Sequence, residues 1–403
     1  MSVFADKSIL LGVTGSIAAY KAADLASKLT QLGARVDVIL TQAAQKFLTP
    51  LTFQSVTGRR VYTDEDLWGS EAHILHVGLG HQADLLVIAP CTANTLAKLA
   101  HGEANSLLML TVLAAKCPLV ISPAMDGGMF DHPATRENIE VLRRRGVYII
   151  EPAEGHLASG LVGKGRLPET NELIGHLRLV LGRRGLLADK KVIVTAGGTQ
   201  EPLDPVRVLT NRSSGKQGYA LAQAALDAGA QVTLITAPTA LTPPVGAKVI
   251  RVETAKQMLD AVLSESREGD VLIMAAAVAD FRPRSVSGEK IKKEGGIPQI
   301  ELEATEDILK TVAGLRSEMK RPRVVVGFAA ESHDLLQNAA IKLQSKKLDL
   351  IAANDISSND AGFAVETNRI TLLFADGRRE ELPLMSKSDA AAVIVERVAA
   401  LLE

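Results

Sequence analysis

The 403-residue chain carries 45 Lys and Arg against 46 Asp and Glu, a formal net charge of −1, with 47% hydrophobic and 23% charged residues. That is the balance of a soluble globular protein, and the length asks for two domains or three. Near-neutrality argues against a nucleic-acid-binding surface, the longest apolar runs (such as 271–279) are about half a membrane span, and two cysteines are too few for a disulfide framework or a metal cluster.

The first apolar run, Ile9-Leu-Leu-Gly-Val, is too short for a signal-peptide core and reads as a strand. Further strands are expected at Arg35–Leu40, Leu85–Ala89, Leu119–Ser122 and Val147–Ile150. A second series follows at Lys191–Thr195, Gln231–Thr236, Lys248–Val252, Val271–Ala275, Arg323–Phe328 and Leu350–Ala353. Helical patterns separate them, so the sheets should be parallel with right-handed crossovers. The chain also restarts: residues 20–39 echo 219–235, each a helix, a Gly-Ala turn and a strand, and each preceded by a strand ending in a glycine turn. Two doubly wound, Rossmann-like α/β domains are expected, 1–185 and 186–403, with the seam near Gly182–Asp189. Cys91 and Cys117 lie in apolar runs and read as inert thiols of a cytoplasmic protein. Ligands should collect at the carboxyl ends of the strands.

In the first half, Gly12-Val-Thr-Gly-Ser-Ile opens a helix after the first strand, where free N–H groups and the helix dipole favour a phosphate. Gly12 and Gly15 do not complete a dinucleotide fingerprint. Thr41 follows the second strand, and Thr92, Asn94 and Thr95 follow the third, hydrogen-bonding groups that suit a planar heterocycle with carbonyl and imide edges. His73 and His76 lie on a helical stretch, where a packed or solvated role is the commoner one. Asp126, in Pro123-Ala-Met-Asp-Gly-Gly, sits at a strand's carboxyl end. Residues 155–167 hold four glycines with Ser159 near the middle, a density that abandons regular structure and lets backbone approach a ligand.

In the second half, a strand, the diglycine Gly197-Gly198 and a long polar stretch containing Asn211 precede a helix starting at Gly215–Gly218. Amides there would cradle phosphates, although no Ser or Thr follows Lys216 as a P-loop requires. Asp280 tips the Val271–Ala275 strand, and Lys290-Ile-Lys-Lys293 follows; near a triphosphate such lysines would neutralise departing pyrophosphate, and elsewhere they merely solvate a loop. Lys342 and Lys346 share a helix face.

Taken in order, the first-half motifs resemble the homo-oligomeric flavin-containing cysteine decarboxylases, of flavodoxin-like fold. The resemblance implies FMN held by Gly15, Ser16, Thr41, Thr92, Asn94 and Thr95, with His76 catalytic. In that chemistry, oxidation of the thiol-bearing carbon creates the electron sink for CO2 loss, and the enethiol is then reduced and protonated. Two positions depart from the pattern. Asp126 stands where the family usually has an Asn that contacts the substrate carboxylate, and Ser159 stands where it often has a proton-donating Cys.

The second half resembles the phosphopantothenate–cysteine ligases. The resemblance implies that Lys290 serves the first half-reaction and Asn211 the acyl-cytidylate step. It places Ala276, Ala277, Val278, Asp280, Lys290, Thr305, Glu306, Asp307, Ile308, Phe328, Lys342 and Lys346 in the nucleotide pocket. The full chain is thus similar to the bacterial bifunctional enzymes of coenzyme A biosynthesis. These enzymes couple 4′-phosphopantothenate to cysteine with CTP and Mg²⁺, then decarboxylate the product to 4′-phosphopantetheine. The same resemblance implies a dodecamer, with small molecules as the substrates. Two alternatives stay open: a ligase joined to a decarboxylase impaired by Ser159 and Asp126, and a flavin-binding regulatory protein. Metal ligands are not identified.

Overall fold

The computed structural model describes residues 2–68, 72–292, 298–331, 334–355 and 365–403. They fall into two units, the first ending at Leu181 and the second starting at Gly182, four residues before the expected boundary.

Unit 1 takes its elements from alternation of β-branched runs with amphipathic segments. In chain order they are β1 (Ser8–Val13), α1 (Ala19–Gln31), β2 (Arg35–Leu40), α2 (Pro50–Thr57), β3 (Val61–Tyr62), α3 (Ala72–Gln82), β4 (Leu85–Cys91) and α4 (Ala93–His101). Then follow α5 (Leu107–Ala114), β5 (Leu119–Pro123), α6 (Gly127–Asp131), α7 (Pro133–Arg144), β6 (Tyr148–Ile149), β7 (Ala153–His156), β8 (Val162–Arg166) and α8 (Thr170–Gly182). Helix α1 shows the cause: Ala22, Leu25, Ala26 and Leu29 recur at helical spacing and are all fully buried against the sheet. The sheet runs β3-β2-β1-β4-β5-β6 with every pairing parallel, so its switch point lies between β1 and β4. Apolar cores fill both faces, one around Leu25, Val38 and Phe53 and the other around Ile88, Leu108 and Ile121.

Unit 2 comprises β9 (Lys191–Ala196), β10 (Gln200–Pro202), β11 (Val208–Thr210), α9 (Lys216–Asp227), β12 (Gln231–Thr236), β13 (Lys248–Arg251), α10 (Ala255–Ser266), β14 (Val271–Met274), β15 (Phe281–Pro283) and β16 (Leu302–Ala304). It continues through α11 (Ile308–Met319), β17 (Val324–Glu331), α12 (Leu335–Ser345), β18 (Leu350–Asp355), β19 (Thr367–Asn368), β20 (Ile370–Phe374), β21 (Arg379–Glu381), β22 (Met385–Ser386) and α13 (Lys387–Leu402). Its main sheet runs β13-β12-β9-β14-β17-β18-β20-β21. The first six strands are parallel; β20 and β21 close the edge antiparallel, which the expectation of parallel strands did not include. The chain moves from β9 to β12 in one direction and from β13 through β14 and β17 to β18 in the other. Right-handed crossovers therefore put α9 on one face and α10, α11 and α12 on the opposite face. Helix α13 packs against α9.

Every strand expected from an apolar run is present within a few residues. The glycine segment 155–167 departs from expectation: β7 and β8 form an antiparallel hairpin, pairing Gly155 with Gly163 and His156 with Val162. The more buried face of the hairpin is made by Ala153, Gly155, Gly163 and Gly165, so it lacks the large apolar side chains whose alternation marks a strand.

Candidate functional site

Both main sheets carry their cavities at the carboxyl ends of the strands. In unit 1 the β1 turn and the β4 turn are tied by one buried hydroxyl. Thr14 Oγ1 donates to the Pro90 carbonyl at 2.7 Å and accepts from the Thr92 N–H at 3.1 Å. Thr92 then caps α4, its Oγ1 accepting from the Thr95 N–H at 3.3 Å and lying 3.1 Å from Thr95 Oγ1. Thr41 donates to the Val13 carbonyl, holding the β2 turn alongside. Gly15 is required here because a Cβ would lie 2.5 Å from that of Ala43. The cavity so framed, about 590 Å³, is lined by Gly15, Ser16, Thr41, Thr92, Asn94 and Thr95, all six residues assigned to FMN. Thr14, Lys98, Asn105 and Ser106 also line it and were not singled out from the sequence.

A second cavity of about 550 Å³ adjoins it, sharing Ser16, Ala124 and Met125. Its far wall is the β7–β8 hairpin with Ser159 at the tip, and its floor includes Asp126, Lys21 and Arg166. Hairpin and strand-end are joined by the Met125 N–H, which donates to the Gly165 carbonyl at 3.0 Å. Asp126 caps α6 by accepting from the Gly128 N–H at 3.0 Å, and Ser159 Oγ donates to its other oxygen at 2.6 Å. The Ser159 hydroxyl, with the Gly128 amide second, holds the Asp126 carboxyl below the ordinary carboxylate value. Asp126 is therefore an anion at neutral pH. Lys21, 7% exposed, donates to the Leu167 carbonyl at 3.0 Å and to Glu169 at 2.7 Å, bringing positive charge to the same floor.

His76 is placed elsewhere. It lies on α3, lines neither cavity among the described residues, and its buried Nδ1 has no hydrogen-bond partner. Cys91 is buried and its thiol is pushed far up by desolvation, in keeping with an inert role. Cys117 is only partly buried.

In unit 2 a cavity of about 450 Å³ is lined by residues of β14, β17 and β18 and by the start of α9. Ala276, Ala277, Val278, Asp280, Thr305, Glu306, Asp307, Ile308, Phe328, Lys342 and Lys346 all line it. Buried hydroxyls shape the 275–280 segment: Thr195 Oγ1 accepts from the Ala276 N–H at 3.1 Å, and Thr199 Oγ1 from the Ala279 N–H at 2.9 Å. Thr305 Oγ1 donates to the Ala279 carbonyl at 2.6 Å. Asp307 caps α11 and pairs with Lys346 at 3.2 Å. Lys290, expected in the pocket, is not among the lining residues, because its segment is fastened beside Asp204 instead; Asn211 does not line the cavity either. Asn211 reaches the rim, donating from Nδ2 to the Val278 carbonyl at 3.2 Å. Lys290 neighbours Ile291, whose N–H donates to the buried Asp204 at 3.1 Å, fastening that segment near the β10–β11 hairpin. Lys293 lies outside the described residues. Sequence reasoning did not select Gln217, Asn354, Asn368 or Lys387, which line the cavity from four separate elements, α9, β18, β19 and α13. Among the described residues no group of three or more His, Cys, Asp or Glu is arranged to hold a metal ion, and no helix is long and apolar enough to cross a membrane.

Residues 4–181 match the family described as Flavoprotein, and residues 187–402 match the DNA/pantothenate metabolism flavoprotein C-terminal domain. The chain is 46% identical over 399 residues to the coenzyme A biosynthesis bifunctional protein CoaBC of Bacillus subtilis, covering 98% of this chain and 97% of that one. It is 43% identical to the protein of the same name from Vibrio vulnificus, over 100% of both chains. To that of Mycobacterium tuberculosis it is 45% identical, over 97% of this chain and 96% of the relative.

Proposed function

This chain belongs to the family of bifunctional coenzyme A biosynthesis proteins, and from that membership we propose the chemistry of each cavity. It is an enzyme with phosphopantothenate–cysteine ligase and phosphopantothenoylcysteine decarboxylase activities in one polypeptide.

The observation that carries the decarboxylase reading is the pair of adjoining cavities in unit 1 with a common wall at Ser16, Ala124 and Met125. The residues of the first suit FMN: clustered hydroxyls and the N-terminus of α4, with Lys98 and Asp64 also on the wall, form a polar cradle for a phosphate and a polar ring edge. When bound, the flavin supplies a reversible hydride acceptor beside the thiol-bearing carbon. The second cavity would then hold phosphopantothenoylcysteine, with the β7–β8 hairpin excluding water. Asp126 is anionic and would repel the bound substrate's carboxylate; Lys21 and Arg166 on the same floor offset that charge. Ser159, already donating to Asp126, would pass a proton onward only as one link of a relay. His76, which lines neither cavity, would serve this site from a second copy of the chain. Exposed Trp68, Ile74, Val77 and Leu113 around α3 offer the apolar face for such an oligomer, a dodecamer by family resemblance.

In unit 2 the substrate carboxylate would attack the α-phosphorus of CTP, forming an acyl-cytidylate and releasing pyrophosphate. The amine of cysteine would then attack the acyl carbon and expel CMP. Lys290, on the segment fastened by Asp204, would close over the charge developing on pyrophosphate, and Asn211 at the rim would orient the acyl group. Mg²⁺ would arrive on the nucleotide's phosphates. A cytoplasmic enzyme is the setting this chemistry fits.

Mass spectrometry of products formed from 4′-phosphopantothenate, cysteine, CTP and Mg²⁺ tests the reading. Conversion to 4′-phosphopantetheine is expected. Accumulation of the cysteine adduct or its enethiol would instead establish a ligase with a decarboxylase halted at Asp126 and Ser159. Bound flavin without CTP-dependent turnover would point to the regulatory alternative.

A further inference from the structure

The unit-2 cavity has two unlike walls. On the α11–α12 side, Lys342 and Lys346 are accompanied by Glu306 and Asp307, and Lys346 pairs with Asp307. On the α9–α13 side the charged residues that line the cavity are both lysines. Lys216 is the first residue of α9 and Lys387 the first of α13, so two cations stand at two helix N-termini, where the dipoles oppose positive charge. Two acids belong to this side: Glu366, which pairs with Lys216 and is itself largely exposed, and Asp389 in the first turn of α13.

Lys387 is the costlier of the two. Its side chain is buried, with only 5% of the residue exposed, and burial foremost, then the charge of Lys216, pushes its amine below the ordinary lysine value. Burying a lysine at a helix start, facing a second lysine, carries a desolvation cost that Glu366 only partly offsets. An independent sign of a ligand lies beside it. Asn368 is 3% exposed and donates from Nδ2 to Gln217 Oε1 at 2.7 Å, which fixes the amide orientation. Its Oδ1 is buried without a partner, as is Oδ1 of Asn354, and both residues line the cavity. Two orphaned acceptors beside two cations call for a ligand that is anionic yet also brings donors. A nucleoside polyphosphate escorted by a hydrated divalent cation meets both needs.

We propose that Lys387, with Lys216, grips the polyphosphate of the nucleotide, while Asn368 and Asn354 accept hydrogen bonds from the hydrated cation that travels with it. This rests on the reading that CTP is the nucleotide of unit 2. The β- and γ-phosphates then lie against α9 and α13, and the nucleoside lies toward α11 and α12.

Isothermal titration of the full chain with CTP and with CMP, each with Mg²⁺, decides it. Lys387→Met should weaken CTP at least about tenfold, the scale of one charge-assisted hydrogen bond, and leave CMP within about twofold. Lys387→Arg should recover part of the loss. Unchanged CTP affinity, or equal weakening of CTP and CMP, overturns the proposal; the second result would make Lys387 a structural residue only. A wild-type chain that binds no CTP brings down the parent reading and this one with it. Should Lys387→Met fail to fold, Lys216→Met carries the same CTP-against-CMP comparison.

Discussion

Gly165→Ala isolates the contact on which the decarboxylase cavity depends. Gly165 has φ 147°, and a Cβ there would lie 2.1 Å from the Met125 carbonyl oxygen, 3.3 Å from its carbon and 3.4 Å from the Gly127 nitrogen. All three are backbone atoms, so no rotamer change relieves the clash. Strain at such a backbone position costs about 1–3 kcal/mol, and loss of the bond from the Met125 N–H to the Gly165 carbonyl adds about 0.5–1.5 kcal/mol. A total of roughly 2–4 kcal/mol shifts the docked hairpin toward an open one by about 30- to 1,000-fold. Hydrogen exchange at the Met125 amide should accelerate by that factor. Decarboxylation of phosphopantothenoylcysteine should fall with it, while pyrophosphate release from unit 2 serves as an internal control. Gly163→Ala, two residues away on the same strand, meets nothing within 4 Å and has no left-handed φ, so it should be silent. Wild-type exchange and turnover in Gly165→Ala, or damage from Gly163→Ala, would refute the reasoning.

Thr92→Ala removes the α4 cap and should cost about 1 kcal/mol, a Tm decrease of about 2–4 °C. It should also reduce flavin retained through purification, read from visible absorbance; full flavin content would remove the Thr92 hydroxyl from the cradle. Ser159→Ala removes the leading cause of the low Asp126 pKa. A depressed carboxyl contributes stability above its unfolded value and loses it as pH falls through the folded one. The Asp126 carboxyl titration, followed by ¹³C NMR, should therefore move upward in the variant, and an unmoved midpoint would count against the hydrogen bond. Lys290→Gln should abolish pyrophosphate release yet leave CTP affinity nearly intact, because Lys290 does not line the cavity; lost affinity would make it a binding residue.

The strands were legible because a strand buried on both faces must be a short run of β-branched residues, and Val271–Met274 or Val192–Val194 have no other reading. Of the nucleotide-pocket residues, Asp280 was legible as the acid at the tip of a strand, whereas 276–278 and 305–308 were placed only by the family resemblance. Lys387 and Asn368 were read by neither route. They lie far along the chain from the glycine turn of α9, and only the packing of α13 on α9 brings them to it. The hairpin over Asp126 was hidden for a local reason: its more buried face consists of Ala153 and three glycines, which show no apolar alternation and read as a loop. His76 was recognised as a motif residue, but its position outside both cavities follows from α3 lying away from the strand ends.

The placement of Lys387 on α13 bears on how the protein comes into being. Unit 1 is contiguous in the chain, so it can collapse and shape its cavities while later residues are still being synthesised. Unit 2 has no such early start. The α9 turn, an early part of its wall, must wait for residues 368 and 387, about 150 and 170 positions later, before two helix starts and two lysines enclose a single space. A nascent chain interrupted anywhere between these points would carry a finished flavin domain beside an open, cation-poor groove. Such a fragment could tint a solution yellow while having lost its grip on triphosphate, so colour alone is no measure of intact enzyme.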